Sequence, residues 1–165
     1  NCAARTLAAD IEPIVDISQR SGVAIEVCCF LGSSPIRQYT EVWEMDKLLR
    51  LTEDAVGLAA RAGLPVMYVT EDTTRARPED LRRLYTVAVE AGARRVCIAD
   101  TVGHATPRGA GNVVRFIREV VDATGAGDAF WAGYLVSLLD GLDPVLSAHL
   151  AQPSSLKMAS SPAQR

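Results

Sequence analysis

The sequence predicts an α/β chain in which about three parallel strands alternate with amphipathic helices. Three observations carry that prediction. One unit recurs three times: a helix ends at a glycine, an apolar run follows, and a polar cluster closes the run before the next helix. The apolar runs are short and nearly continuous, as strands of a parallel sheet covered on both faces would be. Hydrophobic residues make up 48% of the 165 residues and aromatic residues only 5%, which suits an aliphatic α/β core better than a β-sandwich.

The elements follow in order. An N-terminal helix is expected over Thr6 to Arg20, with Pro13 kinking or restarting it. Gly22, Gly63 and Gly92 each fit the position just past a helix end, where a left-handed backbone favours glycine. The strands behind them are Val23 to Phe30, Pro65 to Thr70 and Arg95 to Asp100, reading VAIEVCCF, PVMYVT and RVCIAD. Between them, Leu48, Leu51, Ala55, Leu58 and Ala59 recur at helical spacing, as do Leu81, Leu84, Tyr85, Ala88 and Val89. Pro78 and Pro107 suit a first helical turn, and Thr106 suits the cap before Pro107. Strand–helix alternation of this kind means parallel βα units.

Charge and composition exclude several functions. The net charge is −3, so no basic field favours nucleic acid or an anionic membrane. The arginines between Arg75 and Arg83 are interleaved with Glu79 and Asp80 and follow Glu71 and Asp72, so they read as a solvated helix face. No apolar run has the length of a membrane span. No charged n-region with an apolar h-region opens the chain, so no secretory leader is expected, and a start at Asn1 fits an internal piece. Cys2, Cys28, Cys29 and Cys97 make no CxxC pair. Buried free thiols in a reducing cytoplasm are the expected state, with Cys28 and Cys29 on opposite faces of one strand.

In parallel βα folds the chemistry sits at the carboxyl ends of the strands. Those ends are Gly32-Ser33-Ser34-Pro35-Ile36-Arg37, Thr70-Glu71-Asp72-Thr73-Thr74-Arg75 and Asp100-Thr101-Val102-Gly103-His104. All three gather hydroxyls, carboxylates or a cation at equivalent points, as a site for an anionic substrate requires. Polar residues also end strands and cap helices for purely structural reasons, so the clusters alone leave both readings open.

The runs FLGSSPIRQY and MYVTEDTTRARPEDLRRLYTVAVEAGARRVCIADTVGHATP resemble the 2-isopropylmalate synthase and homocitrate synthase group. That group lies within the pyruvate carboxyltransferase-like barrels that include 3-hydroxy-3-methylglutaryl-CoA (HMG-CoA) lyase. The resemblance spans residues 1 to about 120. It implies part of a (β/α)8 TIM barrel and a Claisen-type condensation of acetyl-CoA with a 2-oxo acid, supported by a divalent metal, Mg²⁺ or Mn²⁺. It places Glu71 and Asp72 near the reacting centre as catalytic residues. It places Ser34, Arg37, Arg75 and Thr101 against substrate, with Arg37 standing where relatives often carry histidine. The family's arginine–aspartate motif would lie before Asn1, and its His-x-His pair is missing from a chain whose two histidines are His104 and His149. No metal ligand is therefore assigned, and three strands cannot close a barrel of eight.

Near residue 120 the character changes. VVDATGAGDAFWAGYLV resembles the anion-hole and catalytic motif of ribokinase-like (PfkB-type) carbohydrate kinases. Under that resemblance Gly125, Ala126 and Gly127 open a helix that holds phosphate charge, Asp128 is the base, and ATP is the cofactor. The expected organisation is a synthase-like segment over 1–120, a kinase-like helical segment over 121–150 and a disordered tail over 151–165. Three functional readings follow: a synthase fragment inactive by itself, a carbohydrate kinase fragment, or a non-catalytic βα piece self-associating through open sheet edges.

Overall fold

The computed structural model describes residues 1–124. They form one parallel sheet with helices between its strands. The order is β1 (Cys2–Arg5), α1 (Ala8–Ser21), β2 (Val27–Gly32), α2 (Pro35–Thr40), α3 (Met45–Arg61), β3 (Val66–Glu71), a 3-10 turn (Thr73–Arg75), α4 (Pro78–Glu90), β4 (Arg95–Ile98) and α5 (Pro107–Ala123). The strands lie in sequence order, each parallel to the next. Parallel crossovers are right-handed, so an unreversed order puts every helix on the same face. Doubly wound sheets reverse their order, and barrels do not.

The core obeys that rule. Ala4, Val27, Cys29, Val66, Tyr68 and Val96 project from the four strands into a single buried cluster. Ile11 and Ile14 of α1, Leu48 and Val56 of α3, Leu84 and Tyr85 of α4, and Ile117 and Val121 of α5 complete it. The α4 and α5 starts are as expected. Pro78 and Pro107 open them, and the Thr106 hydroxyl accepts from the Gly109 N–H at 3.1 Å. Gly22 ends α1 at φ 69°, ψ 9°, and Gly92 follows α4 at φ 111°. A Cβ on Gly92 would also lie 2.9 Å from Ala60 Cβ, so glycine lets α4 close on α3.

Four features correct the sequence reading. There are four strands among the described residues, not three, because β1 was not foreseen. Among the described residues the strands are covered on one face only: buried and half-buried residues alternate along β2, β3 and β4. Cys28, Phe30, Met67, Val69 and Cys97 lie on the second face, called inner below, and are half-buried. Strand β2 begins at Val27 rather than Val23, which is exposed and whose carbonyl accepts from Ser18 Oγ at 2.6 Å. Pro13 does not break α1. It and Ala9, whose carbonyl it leaves unbonded, are both exposed, so water can serve that oxygen.

The thiols also differ from expectation. Cys29 is buried, Cys28 and Cys97 are half-buried and Cys2 is exposed, all four unpaired. Burial pushes Cys28 up to about 11 and Cys29 up to about 12, so neither is a thiolate at neutral pH. No helix among the described residues is long and apolar enough to cross a membrane.

Among the described residues Val42 is the one strained β-branched residue, at φ 51° and 85% exposed. A β-branched side chain in this region costs about 1–2 kcal/mol. Val42→Gly removes that cost and loses some chain entropy, about 0.5–1 kcal/mol. The variant is expected to be more stable by up to about 1 kcal/mol in urea melts. A destabilised variant would show that the Val42 side chain makes contacts worth more than its strain.

Candidate functional site

The carboxyl ends of β2, β3 and β4 form one rim, and pairing places their side chains. Phe30 pairs with Val69, and Gly32 with Glu71. Glu71 therefore shares the inner face with Val69 and Met67. Its side chain is 33% exposed. Asp72, one residue on, turns the other way. Its backbone is left-handed at φ 61°, ψ 38°, and it is buried. Asn and Asp tolerate this region better than other non-glycine residues.

The two neighbouring acids thus have different surroundings. Asp72 is held by Arg75 through two hydrogen bonds, Nε to Oδ1 at 2.7 Å and a terminal nitrogen to Oδ2 at 2.6 Å. These bonds hold its carboxyl below the ordinary value, against burial, which alone would raise it; a further bond from Ser34 acts with them. Its N–H donates to Thr101 Oγ1 at 2.8 Å. Thr101 is exposed, so its own proton remains available to a ligand. Glu71 has a looser partner: Arg37 Nε stands 3.8 Å away.

Arg37 lies on α2, a short helix capped by Ser34, whose Oγ faces the Arg37 N–H at 3.5 Å, with Pro35 in its first turn. Its guanidinium contacts Glu41 at 3.2 Å, and its buried Nε has no hydrogen-bond partner among the described residues. It packs over Gly32, where a Cβ would come within 2.9 Å of Nε. Glycine at the end of β2 is what lets this side chain lie across the strand.

A cleft of about 240 Å³ opens here, with Arg5, Phe30, Gly32, Arg37, Trp43 and Glu71 in its lining. Arg5 went unnoticed in the sequence because β1 did. It stands beside Phe30 in the sheet and is fixed by Asp10, Nε to Oδ2 at 2.7 Å and a terminal nitrogen to Oδ1 at 2.8 Å. The available signal was local: Arg5-Thr6 ends one element just before a helix with an acid in its first turn, as β3 is followed by α4 with Glu79 and Asp80.

Asp100 also serves the rim as a scaffold. Its carboxylate accepts from Ala105 N at 3.0 Å and Thr74 Oγ1 at 2.8 Å, fixing the loop after β4. Burial would raise its carboxyl, but these bonds and those from His104 outweigh it and hold it low.

The structure therefore gathers Ser34, Asp72, Arg75 and Thr101 into one cluster and sets Glu71 and Arg37 beside it, facing the cleft. Gly125, Ala126, Gly127 and Asp128 lie outside the described residues, as does the 151–165 tail. Among the described residues no three His, Cys, Asp or Glu side chains come close enough together to hold a metal ion. The rim by itself does not fit the metal that the synthase resemblance implies.

Comparison with known proteins agrees with the fold. The HMGL-like family pattern matches residues 2–128, past the changeover expected near residue 120 and through the Gly125–Asp128 motif. The 2-isopropylmalate synthase of Methylacidiphilum infernorum is 32% identical over 115 residues, covering 69% of this chain and 23% of that protein. The same-named enzyme of Heliobacterium modesticaldum is 36% identical over 74% of this chain and 24% of its own length. The homocitrate synthase AksA of Methanocaldococcus jannaschii is 36% identical over 56% of this chain and 23% of its own. The chain thus spans about a quarter of the length of these curated relatives. Among solved structures, hydroxymethylglutaryl-CoA lyase from Pseudomonas aeruginosa superposes with a TM-score of 0.59 at 18% identity, over 91% of this chain and 50% of that one. That likeness identifies the fold as part of a TIM barrel.

Proposed function

The chain belongs to the HMGL-like family, and on that premise we propose that it supplies one sector of the catalytic rim of a 2-isopropylmalate synthase-like acyltransferase. The reaction is a Claisen-type condensation of acetyl-CoA with a 2-oxo acid. The observation that carries the reading is the position of Glu71: a carboxylate at the carboxyl end of a barrel strand, on the inner face, with oxygens that no strong hydrogen bond consumes.

The residues divide the work as follows. Glu71 faces the reacting atoms and accepts a proton or a substrate hydrogen bond. Thr101 donates its hydroxyl proton to substrate while the Asp72 N–H fixes its oxygen. Arg37, whose side chain is 38% exposed, offers the outer nitrogens of its guanidinium to a substrate carboxylate. Asp72 and Arg75 bind each other and hold the turn that carries Glu71. A divalent metal, when present, would polarise the 2-oxo carbonyl. The described residues do not assemble a shell for it, and no step is assigned to it. The kinase reading is not carried further: it rests on Gly125 to Asp128, which the HMGL-like match includes.

The test is calorimetric titration of the chain with a panel of 2-oxo acids in Mg²⁺ or Mn²⁺. Saturable millimolar binding is expected, weakened about tenfold or more by Arg37→Met, which removes the charge-assisted hydrogen bond to the substrate carboxylate. No saturable binding by the wild-type chain, or binding indifferent to Arg37→Met, would sink the proposal.

A further inference from the structure

Beneath the rim lies a chain of buried hydroxyls. Thr70 Oγ1 is 2.7 Å from Thr73 Oγ1 and 2.7 Å from the Tyr85 hydroxyl. Thr73 Oγ1 also donates to the Thr70 carbonyl at 2.5 Å and accepts from the Ala99 N–H at 3.0 Å. The Tyr85 hydroxyl donates to the Cys97 carbonyl at 2.8 Å. All three side chains are essentially inaccessible to solvent. We propose that Thr70, Thr73 and Tyr85 are positioning residues that lock the loops after β3 and β4 together, and so set Glu71 and Thr101 in one fixed relation. The proposal rests on reading the rim as the ligand-facing site.

The geometry explains why hydroxyls, rather than apolar groups of the same size, occupy this space. The loop after β3 must turn sharply, since Asp72 is left-handed, and its next residue meets β4: the Thr73 N–H donates to the Ala99 carbonyl at 3.0 Å. The Ala99 N–H then needs an acceptor, and Thr73 Oγ1 supplies it. Ala99 leads directly into Asp100 and Thr101, and Thr101 returns to the β3 loop by accepting the Asp72 N–H. A closed circuit results, from Thr73 through Ala99 and Thr101 to Asp72. Tyr85 of α4 and Thr70 of β3 anchor it to the core.

Proton counting sharpens the roles. Three hydroxyl protons serve four oxygen–oxygen contacts: Thr70–Thr73, Thr70–Tyr85, Thr73–Thr70 carbonyl and Tyr85–Cys97 carbonyl. Thr73 is the one member that touches both loops. Losing its hydroxyl orphans a buried N–H beside the rim. Losing the Tyr85 hydroxyl removes the ties to α4 and to the Cys97 carbonyl but keeps the Thr70–Thr73 and Thr73–Ala99 bonds, so the circuit loosens and does not open.

The molecule supplies its own control. Tyr68 stands edge-on to Tyr85, ring centres 5.8 Å apart, and its hydroxyl bonds Thr52 Oγ1 at 2.8 Å. That pair is equally buried and touches neither rim loop.

The experiment is amide hydrogen exchange with backbone NMR on the whole chain, without ligand. Thr73→Val should speed exchange of the Asp72 amide about tenfold relative to wild type and shift the Asp72 and Thr101 resonances. Thr73→Ser, which keeps the hydroxyl, should restore both. Tyr68→Phe should cost comparable global stability and leave both residues unchanged. If Thr73→Val does not fold, Tyr85→Phe serves, with a smaller change in the same direction. A folded Thr73→Val or Tyr85→Phe whose Asp72 and Thr101 signals match wild type would overturn the proposal, as would an equal response in Tyr68→Phe. The readout needs no substrate. A chain that binds no 2-oxo acid yet shows the Thr73 effect would refute the function proposed above while supporting this inference.

Discussion

Asp72→Ala is expected to destabilise the chain by about 3 kcal/mol, the largest effect of any single change at the rim. Two losses add. The buried carboxylate carries a two-point bond to Arg75, and hydrogen bonds to charged groups are worth about 1.5–3 kcal/mol. Arg75 is 34% exposed, so the lower part of that range applies. Alanine at φ 61° then adds about 1 kcal/mol of backbone strain. Asp72→Asn keeps the tolerance for this conformation and one hydrogen bond, and should cost about half as much.

The same pair predicts a pH signature. The folded-state pKa of Asp72 is depressed, so its contribution is fully present above the unfolded value near 4 and is lost as pH falls through the folded value. The stability gap between wild type and Asp72→Asn, measured by urea melts, should be full at about pH 6 and narrow steadily below about pH 4. A gap that stays constant as the medium is acidified would mean that the ion pair contributes nothing.

How far these features could be read from the sequence depended on how local their causes are. Helix α4 was plain because it carries a proline in its first turn and an apolar stripe at helical spacing, and the start of α5 because Thr106 and Pro107 punctuate it, signals contained within one element. Strand β1 was not, because CAAR is four residues long and holds none of the β-branched or aromatic residues that mark strands. Helix α2 was missed: Ser34-Pro35 is a cap followed by a first-turn proline, but six residues fall below the length at which periodicity is visible. The apolar runs misled on burial. Cys28, Phe30, Met67 and Val69 are apolar and half-buried, because no described element lies on the inner side of the sheet.

The site was legible as positions and opaque as roles. Glu71, Asp72 and Thr101 stand out as polar residues closing apolar runs. Which acid faces the cleft depends on the alternation along β3 and on the left-handed turn at Asp72, and neither is set by residue type. That Arg75 belongs to Asp72 follows from the 3-10 turn between them, which brings residues three apart onto one side.

At the opposite end of the strands a second ion pair crosses the inner face, and its removal has the other large expected effect. Arg95 on β4 reaches Glu26, just before β2, with Nε donating to Oε1 at 2.7 Å and a second bond from its terminal nitrogen to Oε2. The pair spans the intervening β3, where Met67 stands beside Arg95. Glu26 is only 14% exposed, so Arg95→Met strands a carboxylate in an apolar setting. Breaking a buried pair from one side costs about 3–5 kcal/mol, and with Arg95 itself 36% exposed a loss of about 2–3 kcal/mol is expected. Glu26→Gln combined with Arg95→Met should recover much of that loss, because the stranded charge is gone and methionine packs beside Met67. A double-mutant cycle measures the difference directly. Simple additivity of the two single losses would refute a coupled pair. The pair also lies at the amino ends of the strands, where barrel folds keep stability and not chemistry. Asp72 amide exchange at the rim should therefore follow only the global loss in Arg95→Met, without the selective release expected of Thr73→Val. A selective response at Asp72 would mean that the two ends of the sheet are mechanically connected through β3 and β4, and that the rim is held from below as well as by its own hydroxyls.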